Sequence, residues 1–100
     1  MKLIGLMSLE NFKDEIRGIL KRHDVHIYSE VEIVGHTAET LRRHGWWPSE
    51  ESDAIYSTLY FAIVSADKAE GVMNDIQNYN AKSDLLHPPR AFLVNVEKMV

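Results

Sequence analysis

Cysteine is absent from this chain of 100 residues, which excludes disulfide staples, thiolate metal sites and a cysteine nucleophile. Basic residues are also in the minority, with 11 Lys and Arg against 15 Asp and Glu and a net charge of −4. Proteins that hold nucleic acid concentrate positive charge on one face, so no nucleic-acid partner is expected. No long hydrophobic run occurs either. The opening MKLIGLMSLENF carries only a short apolar stretch, and the longest such stretch, residues 59–64, is the length of a strand. Both are too brief for a signal peptide or a membrane-spanning helix, so a soluble, cytoplasmic protein is expected. There is no G-x-S-x-G elbow and no Walker loop, and no segment repeats or is low in complexity.

What is present is the composition of an ordinary globular protein, 45% hydrophobic and 26% charged. The length suits one domain over residues 1–100, since a second core would not fit. A domain this small buries only about two-thirds of its unfolded surface, so assembly into an oligomer would stabilise it. Five histidines keep metal binding and pH sensing in view.

Residues 2–7 read as a strand, with Ser8 as the N-cap of a following helix. Phe12, Ile16, Ile19 and Leu20 recur at helical spacing, and the charged residues between them form a solvated face. Gly18 inside this helix suggests close packing on a sheet, and the helix should stop near His23 and Asp24. Residues 26–34 read as a second strand, with Ile27, Val31 and Ile33 on one side and Tyr28, Glu30 and Glu32 on the other. Residues 54–64 are the strongest strand, apolar on both faces: Ile55, Leu59, Phe61 and Ile63 on one, Tyr56, Thr58, Tyr60 and Val64 on the other. Ser65 and Asp67 both offer caps for a second helix, Asp67 and Glu70 having the spacing of a capping box. Its apolar stripe is Ala69, Val72, Met73, Ile76 and Tyr79. Pro88 and Pro89 end the connection that follows, and residues 90–96 form the last strand.

Strand, helix, strand, strand, helix, strand is the order of an α+β ferredoxin-like βαββαβ two-layer sandwich. Two helices cover one face of such a sheet. The third strand is apolar on both, so the other face calls for a second copy of the chain. The alternative is that Tyr56, Thr58 and Tyr60 line a semi-exposed sheet face.

Residues 35–53 form a connection far longer than the roughly two to five residues of an ordinary hairpin loop. Loops of this length in compact domains tend to carry function. This one holds Arg42, Arg43, His44, Trp46 and Trp47, then Glu50, Glu51 and Asp53, and residues 38–44 could form a short helix capped by Thr37. Paired tryptophans are costly in water, so they pack on the body, on a neighbouring subunit or on a partner.

Gly35-His36-Thr37 at the start of this loop, the strand order, and Ala91-Phe92-Leu93-Val94-Asn95-Val96-Glu97 at the end resemble the PII family of signalling proteins. There a Gly-His-Thr opens the T-loop, and the closing strand sets an aromatic residue ahead of a Val-Glu pair. The resemblance implies a homotrimer with small-molecule effector pockets between subunits and T-loops that engage enzymes, transporters or channels. Divergent members of this kind are associated with membrane transporters of inorganic carbon or metal ions. The chain departs from the family pattern in three places. Val31-Glu32-Ile33-Val34 stand where a basic stretch precedes Gly-His-Thr, and no tyrosine lies between Thr37 and Ile55. Residues 80–89 contain no glycine, so the glycine-rich phosphate loop that would bind a nucleotide is missing.

On this reading Gly35, His36, Thr37, Lys82, His87 and Arg90 are the candidate ligand-binding residues, and Arg42, Arg43, His44, Trp46 and Trp47 the partner-binding loop. Lys82, Arg90, Arg42 and Arg43 would neutralise an anion. His26, His36, His44 and His87 could ligate a metal only by converging from distant segments, since no two are closely spaced. Asp24 with His26, or Glu39 with His36, could be written as an acid–base pair. Two other readings stay open: a metal-binding trimer similar to the cation-tolerance proteins, and a small cofactor-free ferredoxin-like enzyme with a closed pocket. Neither is the first expectation, which is a regulator and not an enzyme.

Overall fold

The computed structural model describes residues 1–35, 55–83 and 87–100. Among these residues, four strands and two helices occur in the expected order: β1 (Lys2–Leu9), α1 (Lys13–Arg22) after a 3-10 turn at Glu10–Phe12, β2 (Ser29–Gly35), β3 (Ile55–Val64), α2 (Ala66–Lys82) and β4 (Arg90–Asn95). The sheet order is β2-β3-β1-β4, and every neighbouring pair is antiparallel. This is the ferredoxin-like two-layer arrangement. The segment between β2 and β3, with its suggested helix at 38–44 and its tryptophans, lies outside the described residues.

Alternation along each strand assigns its side chains to one of two faces. Ile4 and Leu6 of β1 with Tyr60 and Ala62 of β3 lie beneath the helices. Ile16, Ile19 and Leu20 of α1 and Val72 and Ile76 of α2 close over them, completing one buried cluster. These helical residues recur at three- and four-residue intervals, so each helix presents a single apolar stripe.

The helix ends differ from the expectation in instructive ways. Ser8 caps nothing. It is buried in β1, because Leu9 still pairs with Ser57 and the ladder runs past the point where the sequence suggests a helix. α1 begins at Lys13, without a side-chain cap. α2 is capped by Ser65, whose hydroxyl accepts the Lys68 N–H at 3.4 Å, while Asp67 sits within the first turn and adds negative charge where the helix dipole favours it. α1 stops at His23, and Asp24 takes φ 59, turning the chain so that Val25 drops into the core. A short polar side chain tolerates this left-handed conformation better than a branched one.

β2 starts three residues later than expected, at Ser29 opposite Phe61, and residues 25–28 approach it without joining the ladder. Ile27 is left 90% exposed. Gly18 does not pack on the sheet. It is exposed, and a methyl group added there would meet nothing within 4 Å. Gly71 of α2 is the glycine that close packing requires, since an added Cβ would fall 2.6 Å from Nδ1 of His23. The imidazole seated there reaches Asp75 at 2.7 Å, and Arg22 reaches the same carboxylate oxygen at 2.9 Å, tying the end of α1 to α2.

The core makes a paired prediction. Ile16→Ala should cost about 2–5 kcal/mol, the usual range for a fully buried Ile truncation. The Tyr60 hydroxyl is buried without a hydrogen-bond partner, so Tyr60→Phe removes a desolvated polar group and should hold or raise the melting temperature. Denaturant titration of both variants checks this. A clear loss in Tyr60→Phe would mean that the hydroxyl has a partner.

Candidate functional site: the strand rim and the open sheet face

β1 and β2 end, and β3 and β4 begin, at the same edge of the sheet. Gly35 closes β2 there, paired with Ile55, and Arg90 opens β4, paired with Met7. The two stand on the outermost strands, three spacings or roughly 14 Å apart across the sheet, and the registers set them four residues apart along it, Ile55 against Leu59, about 13 Å more. Within one protomer they flank the rim and do not converge.

The approach to Arg90 is fastened by α2. The buried Pro89 offers its carbonyl to the Asn80 side-chain amide at 2.7 Å. Asn80 Oδ1 is buried without a partner. Beside them a groove of about 430 Å³ runs between α2 and β4, walled by Met73, Ile76, Pro88 and Pro89, with Arg90 at its mouth. Lys82, at the end of α2, lines a different groove between the two helices, so it does not share a cavity with Arg90. His87 is exposed. His36, Thr37, Arg42, Arg43, His44, Trp46 and Trp47 lie outside the described residues.

The suggested acid–base and metal pairings gather little around them. His26 and Asp24 approach to 3.6 Å, but both side chains are largely in solvent, so no enclosed site surrounds them. Among the described residues no three His, Asp or Glu side chains are grouped to hold a metal ion. Also among the described residues, no helix is long and apolar enough to cross a membrane.

The face of the sheet opposite the helices is the larger feature. Of Tyr56, Thr58 and Tyr60, the residues suggested for a semi-exposed face, Thr58 and Tyr60 are each 1% exposed beneath the helix layer, and only Tyr56, near the start of β3, is exposed, at 51%. The alternate residues occupy the open side: Phe61 and Ile63 of β3, Val31 of β2, and Phe92 and Val94 of β4, each between 39% and 48% exposed. Gly5 lies at the centre of this face, opposite Phe61 on one side and Phe92 on the other. Any side chain at Gly5 would overlap the Phe92 ring, so its glycine lets that ring lie over β1. Apolar side chains gathered this densely on one exposed surface are uncommon on a lone soluble domain.

Sequence reading missed the polar tie at the far margin of the sheet. Arg17 of α1 grips Glu30 of β2 through two hydrogen bonds, of 2.7 and 2.8 Å. The hydrogen bond from Arg17 holds the Glu30 carboxyl below its usual value, against a smaller opposing effect of desolvation. The signal available was Glu30 and Glu32 on the strand face that α1 only partly covers. Glu30 with a lowered folded value favours the folded state above the ordinary glutamate range near 4.5, and that contribution is lost as pH falls through the lowered value. Melting temperatures of the protein and of Glu30→Gln should therefore differ by a constant amount from pH 6 to 8 and converge in acid. A difference that persists unchanged at about pH 2 would exclude the carboxylate as its source.

No family model matches the sequence, and no curated protein does. Solved structures do match. A PII-like signalling protein of Thermus thermophilus superposes with a TM-score of 0.67 at 16% identity, over 95% of this chain and 84% of that one. CPII of Thiomonas intermedia, bound to ADP and bicarbonate, gives 0.64 at 17% identity, over 93% of this chain and 82% of that one. The same nitrogen regulatory PII-like protein bound to ADP, AMP and bicarbonate gives 0.65 at 16% identity, over 99% and 94%. The chain thus has the fold of PII-like signalling proteins.

Proposed function

We propose that this chain is a PII-like regulatory protein that assembles through its open sheet face, as a trimer, and binds a small anionic effector at the rim between subunits. Residues 35–53 carry the signal to a partner, with a membrane transporter as the class first in line. The observation that carries this reading is the likeness to PII-like signalling structures over at least 93% of the chain. The apolar open face supports it independently, since Phe61, Ile63, Phe92 and Val94 need cover that the described residues do not supply. Within a protomer the two ends of the rim are too far apart to close on one small molecule. A neighbouring copy would bring a second set of rim residues to each end.

In this assembly Gly35, His36 and Thr37 would approach the effector from β2 and the loop, and His87 and Arg90 from β4, with Lys82 close by at the end of α2. An adenine nucleotide is the first candidate, because CPII holds ADP. The connection 83–89 has no glycine, so backbone N–H groups cannot form the usual close phosphate cradle, and side-chain cations such as Arg90 would take over the charge. Arg42, Arg43, His44, Trp46 and Trp47 would then make the partner contacts, where Trp and Arg are the residue types that most often dominate binding.

Light scattering and a thermal-shift screen with ADP, AMP and bicarbonate test this reading. The expected result is a trimer whose melting temperature rises with a nucleotide, by an amount equivalent to about 2.7 kcal/mol at a hundredfold excess over the dissociation constant. Arg90→Ala should reduce that rise while the trimer persists. A Phe61→Glu exchange, which puts a charge on the open face, should dissociate the assembly. A monomer at working concentration that responds to none of the three compounds would overturn the proposal.

A further inference from the structure

The glycine that packing does not explain points to a second site. Gly18 sits mid-way along α1, where glycine is a poor helix former, and no neighbouring atom requires the missing side chain. It borders the groove of about 390 Å³ that runs between α1 and α2. This groove opens on the helical side of the molecule, so it stays accessible when the sheet face is covered. Each helix lines it with one face at three- and four-residue spacing: Asp14, Glu15 and Gly18 from α1, and Asn78, Tyr79 and Lys82 from α2.

The charges along it are sorted. At one end the Arg22–Asp75 ion pair closes the groove and neutralises itself at 2.9 Å. Asp14, Glu15 and Lys82 make no ion pair, and Asn78 and the Tyr79 hydroxyl make no side-chain hydrogen bond, among the described residues. The Tyr79 ring packs edge-on against Phe12 with centroids 6.1 Å apart, which holds it in place as a wall. Burial, with the nearby Glu15 charge, raises the Tyr79 phenol above its usual range, so it stays a neutral donor and acceptor. A pair of carboxylates, one ammonium, one amide and one phenol therefore surround an opening that a side chain at position 18 would enter.

We propose that the groove between α1 and α2 binds a small zwitterion of the α-amino-acid class, with its ammonium group at Asp14 and Glu15 and its carboxylate at Lys82 and Asn78. Gly18 is the gap that admits the ligand backbone, and Tyr79 is the wall against which it rests. The site is formed within one protomer and shares only Lys82 with the proposed effector rim.

Amide chemical shifts of the full chain, recorded during titration with glycine, alanine, glutamate and lysine, test this directly. The expected result is saturable change confined to residues 14–22 and 75–82 with at least one amino acid. Putrescine and acetate, which each carry one half of the charge pattern, should bind at least about tenfold more weakly. Gly18→Leu fills the opening on an exposed helix face, so it should keep or raise the melting temperature while abolishing the shifts, and Glu15→Gln should weaken them. Three results would overturn the proposal: no amino acid perturbs these residues, Gly18→Leu binds as the parent does, or putrescine binds more tightly than every amino acid. A nucleotide response retained in Gly18→Leu would show that the groove and the rim fail or succeed separately.

Discussion

The antiparallel ladder between β1 and β3, from Lys2 opposite Val64 to Leu9 opposite Ser57, decides where nearly everything else goes. These two strands are the centre of the sheet, and both of the others attach to them. Because side chains alternate, this register puts Ile4, Leu6, Tyr60 and Ala62 under the helices and Leu3, Met7, Phe61 and Ile63 on the open side. A slip of one residue would exchange the two sets. The buried Tyr60 would then lie on the open face, and the helices would meet Phe61 where they now meet Ala62.

The helix layer is held in two distinct ways. At its centre, contact is apolar and the buried cluster of Ile16, Leu20, Val72 and Ile76 supplies the driving force. At its margins, polar pairs orient the pieces. Arg17 fixes α1 over β2 through Glu30, and the His23, Arg22 and Asp75 contacts fix the end of α1 against α2. Exposed ion pairs contribute modestly to stability, so these ties set geometry more than they hold the fold together. The space left between the helices above Ile19 is the groove that Gly18 keeps open.

The rim residues do not converge within one protomer. Arg90 is well placed, because Pro89 and Asn80 fix the start of β4, but Gly35 is on the opposite outer strand. The open face is continuous across all four strands, with Gly5 giving room for Phe92 at its middle. The same sheet therefore presents an exposed apolar surface on one side and, on the other, a helix layer with its own recess.

The order and type of the elements were legible in the sequence by itself, because periodicity reports local geometry directly: period two in residues 55–64, and apolar residues three and four apart in 66–79. So was the apolar character of both faces of the third strand. Which face the helices cover was not legible, since Thr58 and Tyr60 on one side and Phe61 and Ile63 on the other are similarly apolar, and only the packed layer distinguishes them. The roles of the two helical glycines were equally hidden. Gly18 and Gly71 are the same residue in similar helices, yet one faces open space and the other faces the His23 ring. Residue types named the candidate cations, but Lys82 and Arg90, eight positions apart, line separate grooves because a helix end and two prolines lie between them. Local propensity fixes what each segment becomes, while the side on which it lies and the atoms that meet it are settled only by the long-range pairing of β1 with β3 and the packing of helices across it.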